Sequence, residues 1–182
     1  ERDLIEGKCP DHGARPAEVR ESNYFFALPR YQDWLEQCLA DGGIEVVPRS
    51  RRNEVISFVR QGLTEFSISR ASSRTRGWGV AVPGDEGQTV YVWVDALINY
   101  LSALGYGSGS DWREWWNEDV EKIHVIGKNV WKFHAVYWPA LLRSAGLPLP
   151  DKVVVHGFVT VDGRKIGKSL GKRLPFIPRM TE

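Results

Sequence analysis

Apolar positions along the chain change period as it runs, and each change predicts a different element. In "LPRYQDWLEQCLADGG", Tyr31, Trp34, Leu35, Cys38 and Leu39 fall at i, i+3, i+4, i+7 and i+8. With Pro29 near the start and Gly42 past the end, that pattern predicts an amphipathic helix. Cys38 lies in the apolar stripe, so core packing is its expected role. "RNEVISFVRQGL" predicts a second, shorter helix capped by Asn53. From Phe66 the period changes. "FSISR" and "WGVAV" are short β-like runs, and "TVYVWVD" (Thr89 to Asp95) is apolar at nearly every position, as a strand covered on both faces would be. Asp95 is then placed to cap the helix "ALINYLSALGY", which runs into a glycine-rich loop at Gly105 to Gly109. "KIHVIG" (Lys122 to Gly127) is another buried-strand candidate. Directly after it, Val130, Phe133, His134, Tyr137, Trp138, Leu141, Leu142 and Ala145 recur at helical spacing, with a kink expected at Pro139 because proline has no N–H to donate. "DKVVVHG" supplies one more strand.

Strand, helix, strand, helix, strand with short connections predicts a parallel α/β sheet, since parallel neighbours need crossover helices. In such sheets ligands bind beyond the carboxyl ends of the strands, which points to Asp95, to Gly127 with Lys128, and to His156 with Gly157 as one shared edge. No internal repeat and no low-complexity segment interrupts the pattern.

Composition narrows this only in part. The chain has 182 residues, within the range of one ordinary domain, and 42% hydrophobic with 26% charged residues describe a packed globular protein. Eight tryptophans supply bulk for an interior and for stacking surfaces. A net charge of +1 gives no global pull toward nucleic acid, so anion binding must come from local clusters. Three clusters exist: Arg49, Arg51 and Arg52; Arg70, Arg74 and Arg76; and, densest, Arg164, Lys165, Lys168, Lys172 and Arg173. Two cysteines cannot make a disulfide framework, and with no secretory or membrane-length apolar run the expected location is the cytoplasm, an organellar matrix being the alternative. The start, "ERDLIEGK", lacks Met and reads as a segment of something longer.

The densest basic cluster sits in "GRKIGKSLGK", a stretch of lysines among glycines without an acid. Mobile ammonium groups on a pliable backbone suit a loop that closes over phosphate. Taken alone, such a loop is more often simply solvated. At "YVWVDALINYLSALGY", "HVIGKNVWKFHAVYWPALL" and "VHGFVTVDGRKIGKSLG", however, the chain resembles the methionyl-tRNA synthetases, class I aminoacyl-tRNA synthetases, with the three blocks in the family's order. The resemblance extends over "CPDHG", "NYFFALPRYQDWL" and "LTEFSISR", from about Glu6 to Gly171.

What the resemblance implies is specific. The fold would be α/β, the second half of a Rossmann-like parallel sheet, the class I synthetase catalytic fold, with part of a connective insertion at the N-terminus. Residues 1–22 would end that insertion, 23–173 would be the second half of the catalytic domain with a KMSKS-like loop at 163–173, and 174–182 stay unassigned. Lys165, Lys168 and Ser169 would be the catalytic loop residues acting on ATP, with Lys168 the stronger contact. Gly127, Asn129, His156 and Gly157 would complete the ATP site, and Trp93, Ala96, Tyr100, Phe133 and His134 would line the methionine pocket. Aromatic and histidine residues on an apolar helix face are by themselves more often plain core; His124 is read as a buried, satisfied histidine. Where the family has Met, Ser and Asn in the loop this chain has Ile166, Gly167 and Lys172, and Asn129 stands for an Asp, which leaves loop competence open.

Cys9 and His12 form C-x-x-H, half of a tetrahedral zinc site, which the resemblance makes the second ligand pair of a zinc knuckle. Mg2+ is expected with ATP, without a dedicated carboxylate cage. The implied activity is ATP-dependent activation of methionine and its transfer to tRNA(Met), with tRNA(Met), ATP and methionine as partners. No H-x-G-H string occurs, so the chain is expected to be part of an enzyme and inactive in isolation. The alternatives are an inactive nucleotide- or tRNA-binding remnant, or a class I synthetase for another amino acid.

Overall fold

The computed structural model describes residues 4–9, 13–16, 20–109, 111–158, 160–161 and 164–165. It divides into two compact units, Glu1–Phe25 with Ser67–Tyr91, and Phe26–Phe66 with Val92–Glu182.

In chain order, β1 (Phe25–Phe26) leads through a 3-10 turn (Leu28–Tyr31) into α1 (Gln32–Asp41), then β2 (Glu45–Val47) and α2 (Arg49–Arg60). Helix α1 ends as its sequence predicts: Gly42 takes the left-handed conformation at φ 78°, which costs glycine little. Helix α2 departs from expectation. Asn53 lies inside it rather than at its cap, and with 12 residues against 10 it is the longer helix. The reason is upstream, where Pro48, with its fixed φ, starts the helix as soon as β2 ends. Strand β2 itself escaped the sequence pattern because "IEVV" is too short a run to distinguish.

Next come β3 (Phe66–Ser67), β4 (Ser69–Ala71), α3 (Ser72–Thr75), β5 (Ala81–Val82) and β6 (Asp85–Val90). The run "TVYVWVD" is not one strand. Strand β6 stops at Val90 and α4 (Val92–Ser102) begins two residues later, so Trp93, Val94 and Asp95 are helical. Valines on both sides of the changeover hide it, but Val94, Leu97 and Leu101, the buried residues of α4, keep helical spacing. Asp95 is therefore in the first turn of α4; it neither caps the helix nor ends a strand of the parallel sheet.

After α5 (Trp112–Trp115) and β7 (Ile123–Gly127), a π turn (Phe133–Tyr137) runs directly into α6 (Trp138–Ser144). Pro139 produces no break. It has no N–H for Ala135, and the chain widens instead: Trp138 donates to the carbonyl of Phe133, five residues back. The chain continues through β8 (Lys152–His156), β9 (Thr160–Val161) and β10 (Arg164–Lys165).

The larger unit is built on the parallel sheet β2-β8-β7, as the alternating pattern predicted. Val47 pairs with Val154, and Gly127 with His156. Val46, Val153, Val155 and Ile126 pack with Leu35 and Leu39 of α1, Val55 and Val59 of α2, and Ala135 and Val136 of the π turn. Each such fully buried aliphatic side chain contributes roughly 1.5–3 kcal/mol, so this layer dominates the unit's stability. Cys38 packs against the same core. A second cluster joins Leu97 and Leu101 of α4 to Trp112, Trp116, Trp138 and Leu142.

The smaller unit carries the antiparallel sheet β4-β6-β5. Buried Ser69 donates to Gln88 and accepts the Tyr24 N–H. Arginines here serve the fold: Arg74 pairs with Glu21 at 2.6 Å, and the Arg70 guanidinium lies 4.0 Å over the Tyr91 ring. In the larger unit Arg52 donates to the carbonyls of Leu39 and Ala40. The two upstream arginine clusters are thus engaged internally in large part. Among the described residues no helix is long and apolar enough to cross a membrane.

Candidate functional site: an aromatic wall and the carboxyl edge of the sheet

Helix α4 presents Trp93, Ala96 and Tyr100 at i, i+3 and i+7, one face of the helix. Phe133 and His134 enter from the π turn. The Trp93 and Phe133 rings stack at 4.4 Å with an interplanar angle of 18°. Two turns further along α4, Tyr100 and His134 share a hydrogen bond of 2.9 Å. Ala96 is exposed between them.

The bond between Tyr100 and His134 has a direction that follows from its neighbour. His134 Nδ1 lies 3.0 Å from the Val130 carbonyl, which only accepts, so Nδ1 carries the proton. Nε2 is then bare and the Tyr100 hydroxyl donates to it, keeping its own lone pairs outward of the bond. Burial pushes the His134 pKa down, opposed by the Val130 hydrogen bond, and burial pushes Tyr100 up. Both groups are neutral at physiological pH. The wall is therefore apolar and polarizable, with one neutral polar pair and no charge.

His124, on β7, packs beneath this pair, its ring 4.4 Å from Tyr100 and 5.4 Å from His134. It is buried as expected but not satisfied: Nε2 finds no hydrogen-bond partner. Burial, and then the proximity of His134, lowers its pKa to about 4. Strand β7, expected to be buried, is covered on one face only, with Ile123 and Val125 exposed, and a half-buried strand fixes which face a residue takes and not what it meets there.

The second feature is the carboxyl edge. Gly127 and His156 end β7 and β8 as register partners, and the Lys128 N–H donates to the His156 carbonyl at 3.0 Å. Val130 N–H returns to the Gly127 carbonyl, making the turn that places Asn129 exposed at the start of the following helix. His156 Nδ1 donates to the Gly157 carbonyl at 2.7 Å. The Lys128 ammonium rests 4.0 Å over the Phe158 ring, a contact that pattern reading did not anticipate. This edge is made mostly of backbone. The structure thus joins Gly127, Asn129, His156 and Gly157 at one edge, and Trp93, Ala96, Tyr100, Phe133 and His134 in one wall, within the larger unit.

Of the basic loop, Lys165 lies in β10, which pairs antiparallel with β9, Lys165 opposite Thr160. Lys168 and Ser169 lie outside the described residues, as does His12. Cys9 sits in a turn closed by its N–H to the Ala14 carbonyl and by Gly13 N–H to the Cys9 carbonyl. Among the described residues no group of three or more His, Cys, Asp or Glu side chains could hold a metal.

A parallel sheet with helices packed against it is the α/β architecture of one half of a class I synthetase catalytic fold, and the chain belongs to that family, in its methionyl branch: the family described as "tRNA synthetases class I (M)" matches residues 1–175. It is 50% identical over 178 residues to the methionine--tRNA ligase of Nostoc sp., covering 94% of this chain and 32% of that protein. To the chloroplastic/mitochondrial methionine--tRNA ligase of Arabidopsis thaliana it is 48% identical over 184 residues, covering 97% of this chain and 29% of that protein. A solved structure of Mycobacterium tuberculosis methionyl-tRNA synthetase bound by methionyl-adenylate matches with a TM-score of 0.77 at 42% identity, over 90% of this chain and 31% of that one. The chain spans about a third of the length of the curated relatives it matches.

Proposed function

We propose that this chain is the part of a methionine--tRNA ligase that reads the amino-acid side chain and forms one side of the ATP site. The whole protein then joins methionine to ATP, giving methionyl-adenylate and pyrophosphate, and passes the methionyl group to tRNA(Met). The observation that carries the reading is the neutral Tyr100–His134 pair set in the Trp93–Phe133 wall. A thioether is apolar and polarizable and gains from aromatic contact, whereas a charged side chain would lose its water here without meeting a counter-charge. The lone polar pair distinguishes an uncharged heteroatom from a plain hydrocarbon of the same size, which an apolar pocket alone does poorly.

At the carboxyl edge, Gly127, Asn129, His156 and Gly157 hold the ribose and base of ATP through backbone and amide groups. Lys165 and Lys168 neutralise charge building on the phosphates as the methionine carboxylate oxygen bonds to the α-phosphorus and the pyrophosphate oxygen departs; Ser169 adds a hydroxyl. Mg2+ accompanies the phosphates, and Zn2+ belongs to the insertion, with Cys9 and His12 as two of its ligands. Residues 1–22 end that insertion, residues 23–173 form the second catalytic half with its loop at 163–173, and 174–182 carry no assigned role. The setting is the cytoplasm or an organellar matrix.

The test sets this chain into the Nostoc ligase in place of the segment it matches and measures ATP–pyrophosphate exchange with each amino acid. Methionine-dependent exchange is expected from the graft and none from the isolated chain. A folded graft that exchanges with another amino acid overturns the specificity; robust exchange by the isolated chain overturns the division of labour.

A further inference from the structure

Tyr100 is flanked by two rings whose nitrogens have no hydrogen-bond partner. His124 is 6% exposed and packs at 4.4 Å with Nε2 unpartnered; Trp138 is 2% exposed and packs at 6.2 Å with Nε1 unpartnered. Trp116 closes the group, 6.1 Å from His124 and 6.0 Å from Trp138, and is itself satisfied, donating to the Pro148 carbonyl. The contrast is pointed. Tyr100 and His134, which face the proposed ligand, are paired, while the rings that hold Tyr100 from behind are not.

A buried polar atom without a partner lowers stability, and an apolar ring of the same shape would remove that cost. Phenylalanine would fit the packing role of His124 among Tyr100, His134 and Trp116. An imidazole kept there at a loss needs another use, and its surroundings name one. His124 touches both members of the polar pair and is buried and neutral, so it cannot act by charge; it can act by taking or giving one hydrogen bond when the pair moves.

We propose that His124 is a positioning residue of the amino-acid pocket: it holds Tyr100 for the side chain of methionine, and its ring nitrogen gains a partner only in the arrangement that the ligand induces around the Tyr100–His134 bond. This rests on the reading of the wall as the methionine site. The groups facing His124 are Tyr100 from α4, His134 from the π turn and Trp116 beyond α5, none of them charged.

The experiment compares wild type, His124→Phe and His124→Gln in the full 182-residue chain, by thermal melting, by titration with L-methionine and with ATP, and by 15N spectra of the labelled imidazoles. His124→Phe is expected to melt about 2–4 °C higher for each orphaned bond's worth of stability regained. It should also lose methionine affinity about tenfold, the worth of one hydrogen bond to a neutral group, with ATP affinity unchanged. His124→Gln should recover part of the methionine affinity, and methionine should shift the wild-type His124 Nε2 resonance. A phenylalanine variant that binds methionine like wild type, or that melts lower without losing methionine selectively, overturns the proposal alone. Wild type that binds ATP but not methionine overturns the pocket reading beneath it.

Discussion

The wall formed by α4 and the π turn and the edge formed by the ends of β7 and β8 are built from opposite materials, which suits the two tasks proposed for them. His134 in the wall is 4% exposed, and its two contacts run to a tyrosine hydroxyl and to a carbonyl one turn away. His156 at the edge is exposed, and its bond goes to its own neighbour, Gly157. The turn after β7 is tied by main-chain groups, Lys128 to His156 and Val130 to Gly127. A surface that must tell one amino-acid side chain from another has to be built from side chains. One that holds the invariant parts of a nucleotide can be built from backbone. The wall should therefore respond strongly to substitution and the edge weakly.

The largest effect is expected behind the wall. Trp138→Ala empties a fully buried indole site and should cost about 3–5 kcal/mol in denaturant-induced unfolding. Tyr100→Phe removes the hydroxyl that His134 Nε2 relies on; a buried acceptor left without its donor costs about 1–3 kcal/mol, readable in the same experiment.

Acid distinguishes the regions as well. The folded pKa of His124 is depressed to about 4 from 6.5. Above pH 6.5 the ring is neutral in both states and its low pKa has no effect; as pH falls the unfolded chain takes up a proton that the buried ring refuses, so stability is lost progressively down to about pH 4. That window amounts to about 3 kcal/mol. His134, shifted in the same direction, adds to it. Stability measured from pH 7 to pH 4 should decline, and His124→Phe should flatten the slope. At the edge, His156→Ala should stay within about 0.5 kcal/mol of wild type in unfolding, as exposed substitutions do. A large loss there, or an insensitive wall, would dissolve the comparison.

The helices, the parallel sheet and the shared edge at Gly127 and His156 were legible because periodicity reports burial, and burial is what those elements are made of. The residues of the wall were reachable only through resemblance, since Tyr100 and His134 read as ordinary core by spacing. Three features stayed hidden for physical reasons. The strand-to-helix change at Tyr91 lies inside a run of valines and aromatics that suits either state. Pro139 forecasts a disturbance but not whether the chain kinks or widens into a π turn. The missing partner of His124 depends on where Tyr100, Trp116 and His134 meet in space, which no local pattern encodes.

Central to the proposed function is the separation of the two substrates between the two regions. In the Nostoc graft, KM for methionine and KM for ATP should be measured side by side for Tyr100→Phe and His156→Ala. Tyr100→Phe should raise the methionine KM about tenfold and leave ATP within about twofold, the loss of one neutral hydrogen bond felt by one substrate, while His156→Ala, which keeps the backbone of the edge, leaves both within about twofold. Tyr100→Phe acting on ATP, or on both substrates equally, would contradict it.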